Sequence, residues 1–239
     1  MSGRAAGGCT TTARGQHYLA DRRLAADLAS AAELADGDLV VEIGAGFGRL
    51  TAELAARAGR VVAIEADTRA AARLASHYRE RPQVTVVAGD ALRVPLPRSP
   101  FKVVANPPFH LTAELLRRLL DESLPRLQRA DLVLEWRAAV GLCAVSPPSR
   151  RSLPWQPWFE FLLVRRLEAT RFVPAPGCDA ALVSIRRRAT PLLPEREAAA
   201  FRQFVRRQPS GDVWELVDRF RFSGRRDGGR PRGPRPGGR

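Results

Sequence analysis

The residues Leu39-Val40-Val41-Glu42-Ile43 run without a spacer into Gly44-Ala45-Gly46-Phe47-Gly48 and then into Arg49-Leu50-Thr51-Ala52-Glu53-Leu54. A short, nearly continuous β-branched run reads as a strand buried on both faces, as in a parallel sheet. Glycines directly after it let the backbone turn sharply and come close to a ligand, and the helix start that follows completes a strand-turn-helix unit. That order commits the chain to an open α/β sheet, in which ligands bind beyond the C-terminal ends of the strands. Three more segments repeat the pattern: residues 60–64 end in Glu65, residues 84–88 in Gly89-Asp90-Ala91, and residues 101–105 in Asn106-Pro107-Pro108-Phe109. Helical spacing of Leu24, Ala25, Leu28, Ala31, Ala32 and Ala35 predicts a helix before the first strand, and a second is expected over 68–78. Four strand ends thus place glycines, Glu65, Asp90 and Asn106 along one edge.

The residue types on that edge narrow the ligand. Glu65 stands 21 residues after Gly44, close to the ~20 expected of an acid that accepts hydrogen bonds from a ribose diol. Asp90 is placed either to accept from an adenine amine or to cap the turn that follows it. The glycine turn lacks the G-x-G-x-x-G spacing and the chain has no P-loop, which disfavours pyrophosphate and triphosphate. Glu42, just before the turn, would repel phosphate and attract an ammonium. An adenosine that carries an amino acid, S-adenosylmethionine, satisfies these demands together. Asn106-Pro107-Pro108-Phe109 can neither extend a strand nor begin a helix, because two prolines remove backbone donors and fix φ. The segment leaves polar carbonyls and a ring at the edge, although a plain proline turn with a core Phe fits the same letters.

Composition sets the outer bounds. The chain has 239 residues, enough for one ordinary domain and a smaller piece, and its formal charge of +14 points to a polyanionic partner, nucleic acid or an acidic surface. Lys102 is the sole lysine among 39 basic residues, a bias that a GC-rich genome explains as well as guanidinium chemistry does. Cys9, Cys143 and Cys178 are far apart and form no C-x-x-C pair, so neither a disulfide framework nor a zinc site is suggested. There is no signal-like or membrane-length apolar run, and a cytoplasmic protein is expected. Residues 1–14 read as a flexible basic arm. Residues 223–239, with six Arg, six Gly and three Pro, read as a disordered tail able to add salt-sensitive affinity for phosphates.

The ordered motifs Gln16-His17-Tyr18-Leu19, Glu42-Ile43-Gly44-Ala45-Gly46, Glu65, Asp90 and Asn106-Pro107-Pro108-Phe109 resemble those of the rRNA adenine N6-methyltransferases, most nearly the Erm methyltransferases of 23S rRNA. The late segments Trp158-Phe159-Glu160-Phe161 and Phe172-Val173-Pro174-Ala175-Pro176 extend the resemblance to Arg188. It implies a Rossmann-like S-adenosylmethionine-dependent domain over 15–189, with a mostly parallel seven-stranded sheet, and a short helical C-terminal domain over 190–222, for which 195–207 and 212–222 supply two helices. His17 stands where the family more often has Asn.

By the same resemblance, His17, Leu19, Glu42, Gly44, Gly46, Glu65, Asp90, Ala91 and Asn106 would hold the cofactor. Asn106 and Pro107 would accept the two N–H hydrogens of the target adenine, and Phe109 and Tyr18 would stack on the base. The implied activity is N6-methylation, single or double, of an adenine in 23S rRNA, with resistance to macrolides, lincosamides and streptogramin B. The substrate would be RNA met before full subunit assembly and the enzyme a monomer, with neither metal nor membrane involved. Other acceptors fit an Asn-Pro-Pro-aromatic turn: small-subunit rRNA adenine, DNA adenine or a protein glutamine. A non-catalytic RNA-binding protein with this fold would have no need of Asn106.

Overall fold

The computed structural model describes residues 17–124, 126–144, 150–208 and 211–227. The basic arm, Gln16 and most of the Arg-Gly-Pro tail lie outside the described residues. In chain order the elements are β1 (Tyr18–Leu19), α1 (Arg22–Ala31), β2 (Leu39–Ile43), α2 (Arg49–Ala55), β3 (Arg60–Glu65), α3 (Thr68–His77), β4 (Val84–Ala88), β5 (Phe101–Ala105), α4 (Thr112–Arg117), β6 (Leu127–Glu135), α5 (Trp136–Cys143), β7 (Phe159–Leu167), β8 (Phe172–Val173), β9 (Ala180–Arg187), α6 (Ala198–Arg206) and α7 (Val213–Asp227).

Seven strands form one sheet in the order β4-β3-β2-β5-β6-β9-β7, parallel except where β9 runs against β6 and β7. The apolar strands expected from the sequence form its parallel half, and both faces are covered. Val40, Val61 and Val104 face α1, α2 and α3, with Leu24, Leu28, Leu54 and Leu74 in the same cluster. Val41, Val103 and Leu132 face the other way, onto Leu115, Leu119, Trp158 and Phe201. The chain moves outward from β2 to β4 and then returns to β5 on the other side of β2. The order reverses there, and Ile43 pairs with Ala105 across the junction. Gly44 and Asn106, the next residue of each strand, therefore flank the crevice that such a switch point opens.

A separate two-stranded ribbon was not legible in the sequence: β1 pairs antiparallel with β8, Tyr18 opposite Val173 and Leu19 opposite Phe172. Two residues per strand carry no alternation that a sequence pattern can register. At the far end of the sheet from the site, the Arg129 guanidinium lies bidentate on Asp131 (2.7 and 3.1 Å) and reaches Glu33 at 3.0 Å. This fastens the end of α1 to β6, because a buried charge is tolerable only when paired.

The C-terminal helices close over the sheet. Phe201 meets Trp158 edge-on at 5.9 Å and Phe220 at 5.4 Å, while the Trp158 indole donates to the Leu193 carbonyl at 2.8 Å. Phe201, Val205, Val213 and Leu216 belong to the same buried cluster as Phe159 and Ile185 of the sheet. α7 continues to Asp227, past the point where the sequence predicts the tail to begin. The Cys143 thiol is free, half-buried and pushed up to about 11 by burial. No helix among the described residues is long and apolar enough to cross a membrane.

Because Phe201 joins the helices to the sheet core, Phe201→Ala is expected to cost about 3–5 kcal/mol in denaturant-induced unfolding. A loss below about 1 kcal/mol would mean that these helices add nothing to the stability of the sheet.

Candidate active site at the sheet's C-terminal edge

The glycine turn owes its shape to residues that only glycine can replace. Gly46 has φ +54°, and a Cβ there would stand 2.9 Å from the Tyr18 ring; Gly48 has φ +79°, and a Cβ there would stand 2.4 Å from Leu74. The turn is held by Glu65 at the end of β3. One carboxylate oxygen accepts the Gly46 N–H at 2.7 Å and the other accepts the Asp67 N–H at 2.9 Å. Each oxygen keeps a second lone pair for a further donor. Thus the acid of one strand end fixes the loop of the next.

Glu42 is buried within β2, with one oxygen accepting the Thr51 hydroxyl at 2.6 Å and the other, Oε1, buried without a hydrogen-bond partner. Its carboxyl is pushed up to about 8, chiefly by burial; the Thr51 hydrogen bond pulls against this and the nearby Glu65 charge adds to it. An unsatisfied buried oxygen of this kind costs stability. Glu42 is on the wall of a hollow formed with Tyr18, Leu19, Gly44, Ala45, Phe47, Arg49, Leu50 and Asn106.

Asn106 joins the N-terminal segment to the end of β5. Its Nδ2 donates to the His17 carbonyl at 2.7 Å, so its side-chain carbonyl is the group left to accept. His17 is itself 7% exposed; its Nδ1 lies 2.8 Å from the Pro174 carbonyl, and its ring meets Phe109 at 5.7 Å. A carbonyl only accepts, so Nδ1 carries the hydrogen and, in the neutral ring, Nε2 is a bare acceptor, buried and without a partner. Beyond Asn106, the Pro108 carbonyl accepts from Leu111 N–H at 3.0 Å, whereas among the described residues the Pro107 carbonyl receives no backbone hydrogen bond.

A second hollow is lined by His17, Tyr18, Ile43, Gly44, Ile64, Glu65, Ala66, Gly89, Asp90, Ala91, Asn106, Pro108 and Leu111. The structure therefore brings His17, Tyr18, Gly44, Glu65, Asp90, Ala91 and Asn106 to one place, with Glu42 and Leu19 on the adjoining hollow. Gly46 holds the turn from behind. Asp90 also caps the following turn, accepting Leu92 N–H at 2.8 Å. The rings of Pro107 and Phe109 line neither hollow: Pro107 is buried, and Phe109 is half-buried against His17. Three residues escaped the sequence reading. Thr51, which grips Glu42, sits on the helix nine residues later and could have been found by its position facing back across the turn. Pro174, which fixes His17, lies 157 residues away and gives no local signal. Phe47, 68% exposed, is signalled by its place between two turn glycines, where an aromatic cannot reach the core.

The family model described as "Ribosomal RNA adenine dimethylase" matches residues 10–208. The chain is 36% identical over 211 residues to "Ribosomal RNA small subunit methyltransferase A" of Moorella thermoacetica, across 81% of this chain and 72% of that protein. To the mycinamicin-resistance protein MyrB of Micromonospora griseorubida it is 34% identical over 197 residues, across 82% of this chain but only 62% of MyrB. Its structure superposes on the crystal structure of the 23S rRNA methyltransferase ErmE with a TM-score of 0.73 at 30% identity, covering 84% of each chain. A dimethyladenosine transferase from Plasmodium falciparum shares the fold, with a TM-score of 0.69 at 22% identity. With strand order, switch-point crevice and family model in agreement, the chain belongs to the ribosomal RNA adenine dimethylase family of methyltransferases.

Proposed function

We propose that this protein transfers methyl groups from S-adenosylmethionine to N6 of an adenine in 23S rRNA, and that the modification confers resistance to macrolides, lincosamides and streptogramin B. The observation that carries the reading is Asn106: its amide nitrogen is committed to the His17 carbonyl, which leaves its side-chain carbonyl as the accepting group on the lining of both hollows. The likeness to the 23S rRNA methyltransferase ErmE supports the choice of large-subunit RNA, and that to the mycinamicin-resistance protein MyrB supports resistance. The 36% identity to a small-subunit methyltransferase supports the second reading, an adenine of 16S rRNA.

The residues present fit the cofactor. Glu65 retains lone pairs for a ribose diol, Asp90 for an adenine amine, and the orphaned Oε1 of Glu42 is a ready partner for an ammonium. When bound, S-adenosylmethionine supplies an electrophilic methyl group on a sulfonium. Adenine N6 is a weak nucleophile because its lone pair is delocalised into the ring. If the Asn106 and Pro107 carbonyls each accept one N6 hydrogen, they turn the nitrogen toward tetrahedral geometry and aim its lone pair. Both hydrogen bonds strengthen as positive charge develops on nitrogen, so the gain is in orientation and in electrostatic stabilisation. No base is needed before transfer. The target adenine must leave its stack to reach this edge, which favours single-stranded or distorted RNA.

Glu42 gives the binding step a pH signature. Below about 8 the free carboxyl holds its proton, and accepting an ammonium requires the carboxylate, so the proton must leave on binding. Affinity for S-adenosylhomocysteine, measured by calorimetry, is expected to rise between pH 6 and 8, and Glu42→Gln should flatten that rise; an equal slope in both proteins would contradict the assignment. The overall reading is tested by labelled methyl transfer to protein-free large- and small-subunit rRNA in parallel, with the modified base mapped. N6-methyladenine confined to 23S rRNA is expected. Label confined to 16S rRNA would select the second reading, and label on neither would overturn both.

A further inference from the structure

On the other side of the glycine turn from the cofactor hollow runs an open groove of about 540 Å³ that none of the roles above uses. Its walls are Tyr18 and Phe47 at one side and the exposed face of α3 at the other, with Arg69, Arg73 and His77 along it. Tyr18 lines this groove and both hollows of the site, so the groove opens beside the place where the target base must arrive.

Two features of the groove work against folding stability and call for another explanation. Phe47 leaves an apolar ring 68% exposed, held at 4.9 Å from the Tyr18 ring with an interplanar angle of 52°. It sits between Gly46 and Gly48, both at positive φ, in a turn that carries its ring away from the core. Arg69 and Arg73 are four residues apart on one helix face, where like charges repel, and His77 follows at the same interval. Among the described residues neither arginine has an ion-pair partner. Asp67, at the head of the helix, also lines the groove and caps the helix, its Oδ1 accepting the Arg69 and Ala70 N–H groups at 2.9 Å each. A protruding ring beside a row of unpaired guanidinium groups is the chemistry that grips single-stranded nucleic acid: bases stack on the ring and phosphates follow the cations.

We infer that this groove binds the single-stranded nucleotides that flank the target adenine, with Phe47 stacking on a neighbouring base and Arg69 and Arg73 contacting phosphates. The inference rests on the reading above that RNA is the substrate. It makes Phe47, which borders both the groove and the first hollow, a binding residue for RNA.

The test is fluorescence anisotropy of a labelled single-stranded segment of 23S rRNA with the full chain across a salt series, alongside S-adenosylhomocysteine affinity as a control on the neighbouring site. Phe47→Leu should weaken RNA binding about tenfold, within the range for a base stacked on an aromatic side chain, while Phe47→Trp restores it. Arg69→Ala with Arg73→Ala should lower the slope of log affinity against log salt by about 1.4, the value for two contacts to a single strand. Cofactor affinity should stay unchanged in the double arginine variant, whose replaced side chains line neither hollow of the cofactor site. Equal RNA affinity for wild type, Phe47→Leu and the double arginine variant would overturn the groove while leaving the methyltransferase reading intact. Failure of Phe47→Trp to restore what Phe47→Leu loses would overturn the stacking role. Failure of the wild type to methylate any rRNA would instead strike the reading on which the groove rests.

Discussion

A single hydrogen bond, from Asn106 Nδ2 to the His17 carbonyl at 2.7 Å, ties the active edge together. It settles which end of the amide is spent and which is free, and a target amine needs the acceptor end. The bond exists only because the N-terminal segment is carried across the sheet edge. That placement in turn depends on the β1–β8 ribbon and on the Pro174 carbonyl that holds the His17 ring. Residues from the start, middle and late part of the chain therefore meet at one amide. Such cross-links place the amide before any ligand enters, which is what catalysis by orientation demands.

The same edge concentrates groups that a core would reject. Glu42 and Glu65 are both buried at neighbouring strand ends, and they treat their charge differently. Glu65 is satisfied by two backbone N–H donors and serves as a brace for the glycine turn. Glu42 has one hydroxyl donor and one orphaned oxygen, and its carboxyl is pushed up to about 8. Departures from good burial that cluster at one edge, while the buried Arg129 and Asp131 at the other end are paired, are what a functional site is expected to show.

Much of this was legible in the sequence. The parallel half of the sheet, its ligand edge and the residues Gly44, Glu65, Asp90 and Asn106 follow from apolar runs that end in glycines, acids or an amide, since strand length and burial are local properties. The β1–β8 ribbon was not legible, because pairing between residues 18–19 and 172–173 is a long-range event with no periodic trace. The contact of the Phe109 ring with His17 was not legible for a related reason: His17 arrives from a distant segment. Thr51 and Phe47 lie between these cases: their positions relative to the glycine turn are local, but the partners that give them meaning are not.

The central claim is that the Asn106 carbonyl orients the accepting amine and does little to hold the cofactor. The direct measurement is the single-turnover rate of methyl transfer to rRNA by Asn106→Ala, together with its affinity for S-adenosylhomocysteine. The rate should fall by at least about 100-fold, as when a preorganised hydrogen-bonding group is removed from a transition state, while the affinity stays within about fivefold of wild type, under about 1 kcal/mol. A near-normal rate, or a rate loss matched by an equal loss of cofactor affinity, would contradict it.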